Sequence, residues 1–296
     1  MITNAGLDIG LNLNTAKCEQ SVTQVVISPT PFFWVYVKSE TELLGAPLFP
    51  GTALDSAWSK RCDELARAVD KLALINAQDA LILLRASFSA PRVQHLLRCS
   101  PSVNNSSLQI FDNLLTSDYW ICITNSALSD TQWPPASLPI KQGGLGVRRI
   151  TLLAIPAFLA SAASTPSLQE QILSSCTCSS DSFLDSYLTD WSPSFGMPPD
   201  PLPSKQSFWD WPSLQADRSV IEAFMVEPSQ MAWYLASGVP HSGDWLLALP
   251  ITNCGPRLKN ETLRVADWDS TCAFLTDAEM PVWIWRRRPK LSRHGL

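Results

Sequence analysis

Leu54, Trp58, Cys62, Leu65, Val69 and Leu72 recur at spacings of three and four, while Lys60, Asp63, Glu64, Arg67 and Lys71 fall on the other side. A stretch with that period must bury one stripe of a helix against other elements, because a strand would alternate its side chains between two faces. It predicts a long amphipathic helix, with Asp63 and Arg67 four residues apart as an ion pair on its surface. Helical signals continue beyond it. Asn76 is placed to cap a second helix through NAQDALILLRASF, with Asp79 in its first turn, and Pro91 suits the first position of a third, PRVQHLLR. LQIFDNLLTSDYWICI reads as a fourth, followed by PAFLASAAS, LQEQIL and DRSVIEAFMVEPSQMAWYLASG, the last ending at Gly238 as a helix C-terminus should. GGLGVRRI, 143–150, is a turn whose glycines tolerate positive φ.

Only the first fifty residues carry strand-like segments, VTQVVI and FFWVYVK, before TELLGAPLFPG closes in a proline-rich turn. The fold class is therefore mainly α with a few short N-terminal strands. Proline outnumbers glycine 23 to 12, which favours many short punctuated helices over long coils. The densest cluster, WSPSFGMPPDPLPSKQ at 191–206, is the expected subdomain boundary. The apolar run Leu152–Ala163 is shorter than the roughly 20 residues a bilayer requires and contains Pro156, so it is expected to be a buried core helix. With no signal peptide at the start, the expectation is an aqueous intracellular location, nuclear or cytoplasmic, with no membrane partner.

Charge narrows the function. Residues 1–150 carry 12 basic and 12 acidic side chains; residues 151–285 carry 5 and 15. Binding to phosphates draws on clustered Lys and Arg, so the second half is a poor nucleic-acid footprint. Arg286, Arg287, Arg288, Lys290 and Arg293 reverse the sign only at the end. Eight cysteines are expected to be reduced thiols in the core, and Cys176 and Cys178 lack the paired spacing of a zinc site. His95, His241 and His294 stand in no recognised nucleophile context, and G-x-S-x-G, P-loop and dinucleotide fingerprints are absent. PHSGDW, 240–245, reads as a turn capping a helix, with Ser242 or Asp244 bonding backbone amides. Trp209, Trp211 and Trp245 could stack bases, but in an apolar, acidic setting they are expected to fill the core.

Six segments carry a resemblance: IGLNLNTAKCE, TELLGAPL, DALILLRASFSAPRVQHLLRCSP, SLPIKQGGLGVRRI, AFLASAAS and PHSGDWLLALPITNCGPRL. In this order they resemble reverse transcriptases of non-LTR, LINE-type retrotransposons, over about Gly6 to Ala266. The resemblance implies a polymerase of palm, fingers and thumb, in which paired palm aspartates hold two Mg²⁺ ions. It divides the chain into a palm-end fragment with a primer-grip-like turn at 1–50, a thumb-like helical domain at 51–190, the linker at 191–206, a helical connection region at 207–266 and a divergent basic tail at 267–296. By it Lys17 would face nucleotide phosphates, and Leu43, Leu44 and Gly45 would lie in the primer-gripping turn. Arg92, Arg98, Lys141, Arg148 and Arg149 are the basic residues nearest the thumb-like helices, and are the expected nucleic-acid contacts.

Two departures from the family pattern define the expectation. No Asp-Asp pair occurs anywhere in the chain, and the family's pair would fall before Met1, so no catalytic residue and no metal or other cofactor is expected. After Ala266, the family's Cys/His cluster is missing. A neighbouring reading frame of the same codons permits L-G-x-x-L-C-x-P-H-x-C, which points to a frame change at Asp267. The expected function is a catalytically inactive remnant of an RNA-directed DNA polymerase that binds RNA or DNA weakly. The alternative is a repurposed helical module for a protein partner, without a nucleic-acid role.

Overall fold

The structure is a computed structural model, and it describes residues 19–22, 34–37, 40–116, 128, 130–166, 168, 171 and 182–251. The long apolar stripe lies on helix α1, Thr52–Leu72, where Leu54, Trp58, Cys62, Leu65, Val69 and Leu72 are all buried. Asn76 caps α2, Ala77–Leu83, by accepting a hydrogen bond from the Gln78 amide. Its last turn widens into a π-helical segment, Leu84–Phe88, and the chain re-enters an α-helix at α3, Ala90–Cys99. Pro91 sits in the first turn of α3, where its missing N–H costs nothing. Helix α4 is Ser107–Thr116; the expected continuation to Ile123 lies outside the described residues. Short α5, Trp133–Ser137, leads through a glycine turn to α6, Ile150–Ala163.

The chain is thus mainly helical, with a little strand. β1, Glu19–Val22, and β2, Trp34–Val37, pair in parallel with Glu19 opposite Trp34. β3, Glu42–Leu43, and β4, Ala46–Pro47, form a small antiparallel hairpin. Among the described residues no helix is long and apolar enough to cross a membrane.

Helix α6 organises the rest. It is apolar around its whole circumference, so every face needs a neighbour. One side joins the main core with α1, α2, α3 and α4, through residues such as Leu153 and Ala157. Phe158, Leu159 and Ala160 face a second core with Tyr187 and Trp191 of α7, Ser182–Phe195, and Trp209 of α8, Gln206–Phe224. The aromatic rings there meet edge to face: Trp191 and Trp209 have centroids 5.1 Å apart at 76°. Trp209 donates its indole N–H to the Pro203 carbonyl at 2.7 Å, so the proline-dense stretch 196–205 is held down by a fully buried tryptophan. The first five residues of the expected linker, Trp191–Phe195, are helical.

Several local expectations are corrected. The stretch 217–238 is two helices, α8 and α9, Pro228–Ser237, because Pro228 cannot donate to the preceding turn; Glu227 and Gln230 form a capping box that restarts the helix. Arg67 meets the Asp63 backbone carbonyl, not its carboxylate. In PHSGDW, Ser242 donates to the Ser237 carbonyl and so closes the end of α9, while Asp244 pairs with His241; neither caps α10, Asp244–Leu247. Of the cysteines, Cys62 is buried and Cys99 is exposed, both as free thiols; the other six lie outside the described residues. Trp209 is in the second core as expected and Trp245 packs on the main core, whereas Trp211 is 53% exposed. The glycine turn behaves as anticipated at Gly143 and Gly146, with φ of 87° and 78°. Gly144 is required for another reason, since a Cβ there would lie 2.1 Å from the Leu138 carbonyl oxygen.

The N-terminus of α6 lacks a cap from its own flank. Buried Asp112 of α4 supplies one from across the core, accepting hydrogen bonds from the Ile150 amide at 2.7 Å, the Thr151 amide at 3.1 Å and the Thr151 hydroxyl at 2.7 Å. Burial pushes the Asp112 carboxyl above its usual range, outweighing those donors. Asp112→Ala is expected to cost about 2–3 kcal/mol in urea unfolding, since the buried Ile150 amide and the part-buried Thr151 amide lose their acceptor. Because the folded carboxyl binds its proton more tightly, the pH-dependent part of its contribution is complete below the ordinary carboxylate range and is lost as pH rises through the raised value. The penalty of Asp112→Asn should therefore be larger at about pH 4 than at about pH 7.

Candidate nucleic-acid interface

The β3–β4 hairpin turns through Leu44 and Gly45, with φ of 52° and 77°. Positive φ at both central residues suits the right-handed twist of a two-residue hairpin, and it is normally supplied by Asn-Gly or Gly-Gly. Leucine is poorly suited to that conformation, at about 1–2 kcal/mol. Nor does Leu44 offset the cost by packing, because it is 88% exposed. Ala46 and Pro47 behind it are buried, so the hairpin is anchored at its base while presenting a strained apolar tip.

Helix α3 lies beside this tip. Val93, Leu96 and Leu97 bury one face in the main core, which leaves Arg92, His95, Arg98 and Cys99 on the other. The ring Nε2 of His95 lies 3.3 Å from the Leu44 carbonyl oxygen, tying hairpin to helix. Arg92 is shared with Glu64 of α1, at 2.8 Å from Nη2 and 3.0 Å from Nε. Burial pushes the Glu64 carboxyl up, but hydrogen bonds from Arg61 and Arg92 outweigh it and hold it below the usual carboxylate range. Arg98 reaches the Gln206 side-chain oxygen at 3.2 Å, and Gln94 donates to the same oxygen at 2.8 Å, fastening the start of α8 to α3.

The remaining expected contacts are disposed differently. Arg148 makes a bidentate pair with Asp210 of α8, at 2.8 and 2.7 Å, with only 18% of its side chain exposed. Arg149 pairs with Asp217, seven residues or about two turns further along α8, and is similarly covered. At the junction of α6 and α8 Arg148 is held by two carboxylate oxygens and Arg149 by one, with the buried Arg149 Nε left without a hydrogen-bond partner among the described residues. Lys141 is exposed on the 3₁₀ turn Ile140–Gln142. Lys17 lies outside the described residues. Leu44, Gly45, Arg92 and Arg98 are thus brought to one edge, while Arg148 and Arg149 are interior clamps. His95 was not among the expected site residues. Its spacing of four from Cys99, both on one helix face, is the signal that could have found it.

Among the described residues no group of three or more His, Cys, Asp or Glu side chains could hold a metal ion. No family model matches the chain, and neither a curated protein nor a solved structure does so.

Leu44→Gly should stabilise the protein by about 1 kcal/mol in chemical unfolding, because it relieves the strained backbone without opening a cavity. A loss of stability would show that the exposed leucine packs against something.

Proposed function

We propose that the chain is a catalytically inactive remnant of an RNA-directed DNA polymerase of the non-LTR retrotransposon type, retaining weak contact with RNA or DNA. The contact surface is the β3–β4 tip with the outer face of α3. The observation that carries this reading is the Leu44–Gly45 turn. It holds an apolar side chain in solvent at a conformational cost, at the position where the resemblance implies a primer-gripping turn, and strain of this kind persists where a ligand makes use of it. Arg92 and Arg98 supply phosphate-directed charge alongside. Polymerisation through two Mg²⁺ ions needs convergent carboxylates, and the 296 residues hold no adjacent Asp pair.

A second reading has its own observation. Phe208 and Trp211 are 41% and 53% exposed and, with Pro203, Lys205 and Pro212, line an apolar cleft of about 670 Å³ on α8. Such a surface suits a helical module that holds a protein partner.

Fluorescence titration of a primer–template duplex separates the two. On the first reading binding is saturable, weakens steeply with salt and survives deletion of residues 267–296. Arg92→Glu combined with Arg98→Glu should abolish it, whereas Trp211→Ala should leave it unchanged. Glu64→Gln, which releases Arg92 and Arg61, should tighten it about two- to fivefold and steepen the salt dependence by about one ion. Primer extension with Mg²⁺ should give no incorporation above blank. Binding that resides only in the basic tail would favour the second reading, and extension would overturn the inactive one.

A further inference from the structure

Cys99, His95 and the Leu44 carbonyl form a chain of contacts that the polymerase-derived reading does not use. A carbonyl oxygen can only accept, so the His95 Nε2 at 3.3 Å carries the ring proton and donates it to Leu44. In the neutral ring, Nδ1 then has its lone pair free. It faces the Cys99 sulfur at 3.6 Å, one helical turn on, and so accepts the thiol proton. A nucleophile, a base with its tautomer fixed and a group that fixes it are the components of an activated thiol. Both side chains are exposed, so a reagent can approach without unfolding. Of the neighbouring exposed cations on α3, Arg92 is paired with Glu64, whereas Arg98, among the described residues, meets only the neutral Gln206 side chain and so favours an anionic reagent.

We propose that Cys99 is a thiol–disulfide exchange site for small anionic disulfides, with His95 as its base. His95 Nδ1 takes the thiol proton as the Cys99 sulfur attacks one sulfur of the disulfide. A new S–S bond forms, the original S–S bond breaks, and the departing thiolate receives the proton. The disulfide is the oxidant, and the product is a mixed disulfide on Cys99 with one equivalent of free thiol. Cys62 provides an internal contrast: it is buried, and burial, with Asp63 adding to it, pushes its thiol up to about 11.

The test follows covalent adducts on the full chain by peptide mass spectrometry and is independent of nucleic-acid affinity. Oxidised glutathione should modify Cys99 faster than neutral bis(2-hydroxyethyl) disulfide, and cationic cystamine should be slowest; Arg98→Glu should reverse that order. His95→Ala should slow the reaction at least about tenfold. His95→Gln keeps a donor for the Leu44 carbonyl but cannot take a proton, and should be slowed equally. A glutaminyl variant as fast as the parent, or a Cys99 no faster than N-acetylcysteine at the same pH, would overturn the proposal, and so would a charge order that Arg98→Glu leaves unmoved.

Discussion

A single carboxylate holds the centre of this protein in place. Asp112, on α4, accepts three hydrogen bonds from the first two residues of α6. It thereby supplies acceptors that the helix's own flank does not. Helix α6 has no polar face to turn to solvent, so its entry point decides which neighbours it meets. Fixing that point sets Leu153 and Ala157 into the main core and Phe158 and Leu159 into the second. Immediately upstream, Arg148 and Arg149 grip Asp210 and Asp217 of α8. Cap and clamps therefore act on one end of one helix, and through it register α4, α6 and α8 against each other. The interior is low in dielectric, which makes each of these contacts expensive to break even though the net gain from forming it is modest.

The candidate interface is a by-product of the same packing. Burying Val93, Leu96 and Leu97 fixes the rotation of α3, and a helix so fixed can only present Arg92, His95, Arg98 and Cys99 outward. The π-helical turn before it performs a related task. It ends with Ser89 donating its amide to the Leu84 carbonyl at 2.9 Å, and within it Arg85 reaches the Leu246 carbonyl of α10. A wider turn places that guanidinium over a segment 161 residues away in sequence, and the next helix starts at Ala90 with Pro91 in its first turn. The hairpin then contributes its tip from the opposite direction, through the His95–Leu44 contact.

Elements whose signal is local were legible from the residues. The buried stripe of α1, the Asn76 cap and the left-handed glycines at 143 and 146 depend on neighbours within a few positions, and the chain places all of them as read. Pro228 was visible too, but the apolar period on both sides of it concealed the break that its missing N–H imposes. What stayed hidden depends on partners far apart in sequence. Nothing in the vicinity of Asp112 announces that its acceptors serve residues 38 and 39 positions later. Arg67 and Asp63 had the spacing of an ion pair, yet Arg67 meets the Asp63 backbone carbonyl, because an exposed pair gains little from closing. Trp211 looked like core by composition and lies half in solvent, since α8 turns its Trp209 and Asp210 inward instead.

The charge pattern shows why counting basic residues misleads in a chain of this kind. The first half is neutral and the second strongly acidic, which reads as two surfaces of different character. In the fold, part of that difference cancels across the halves, where Asp210 and Asp217 of α8 meet Arg148 and Arg149; within the first half, Glu64 of α1 meets Arg61 and Arg92. A covered guanidinium paired with a carboxylate, as Arg148 and Arg149 are, must surrender a desolvated pair before it can meet a phosphate. Arg92 is bound less deeply, on a side chain 47% exposed, and exchanging Glu64 for a phosphate there costs little. Electrostatic footprint and structural scaffold are therefore sorted by burial rather than by residue type. The same sorting leaves α3, at the strained hairpin tip, as the edge on which an anion can be met without dismantling the core.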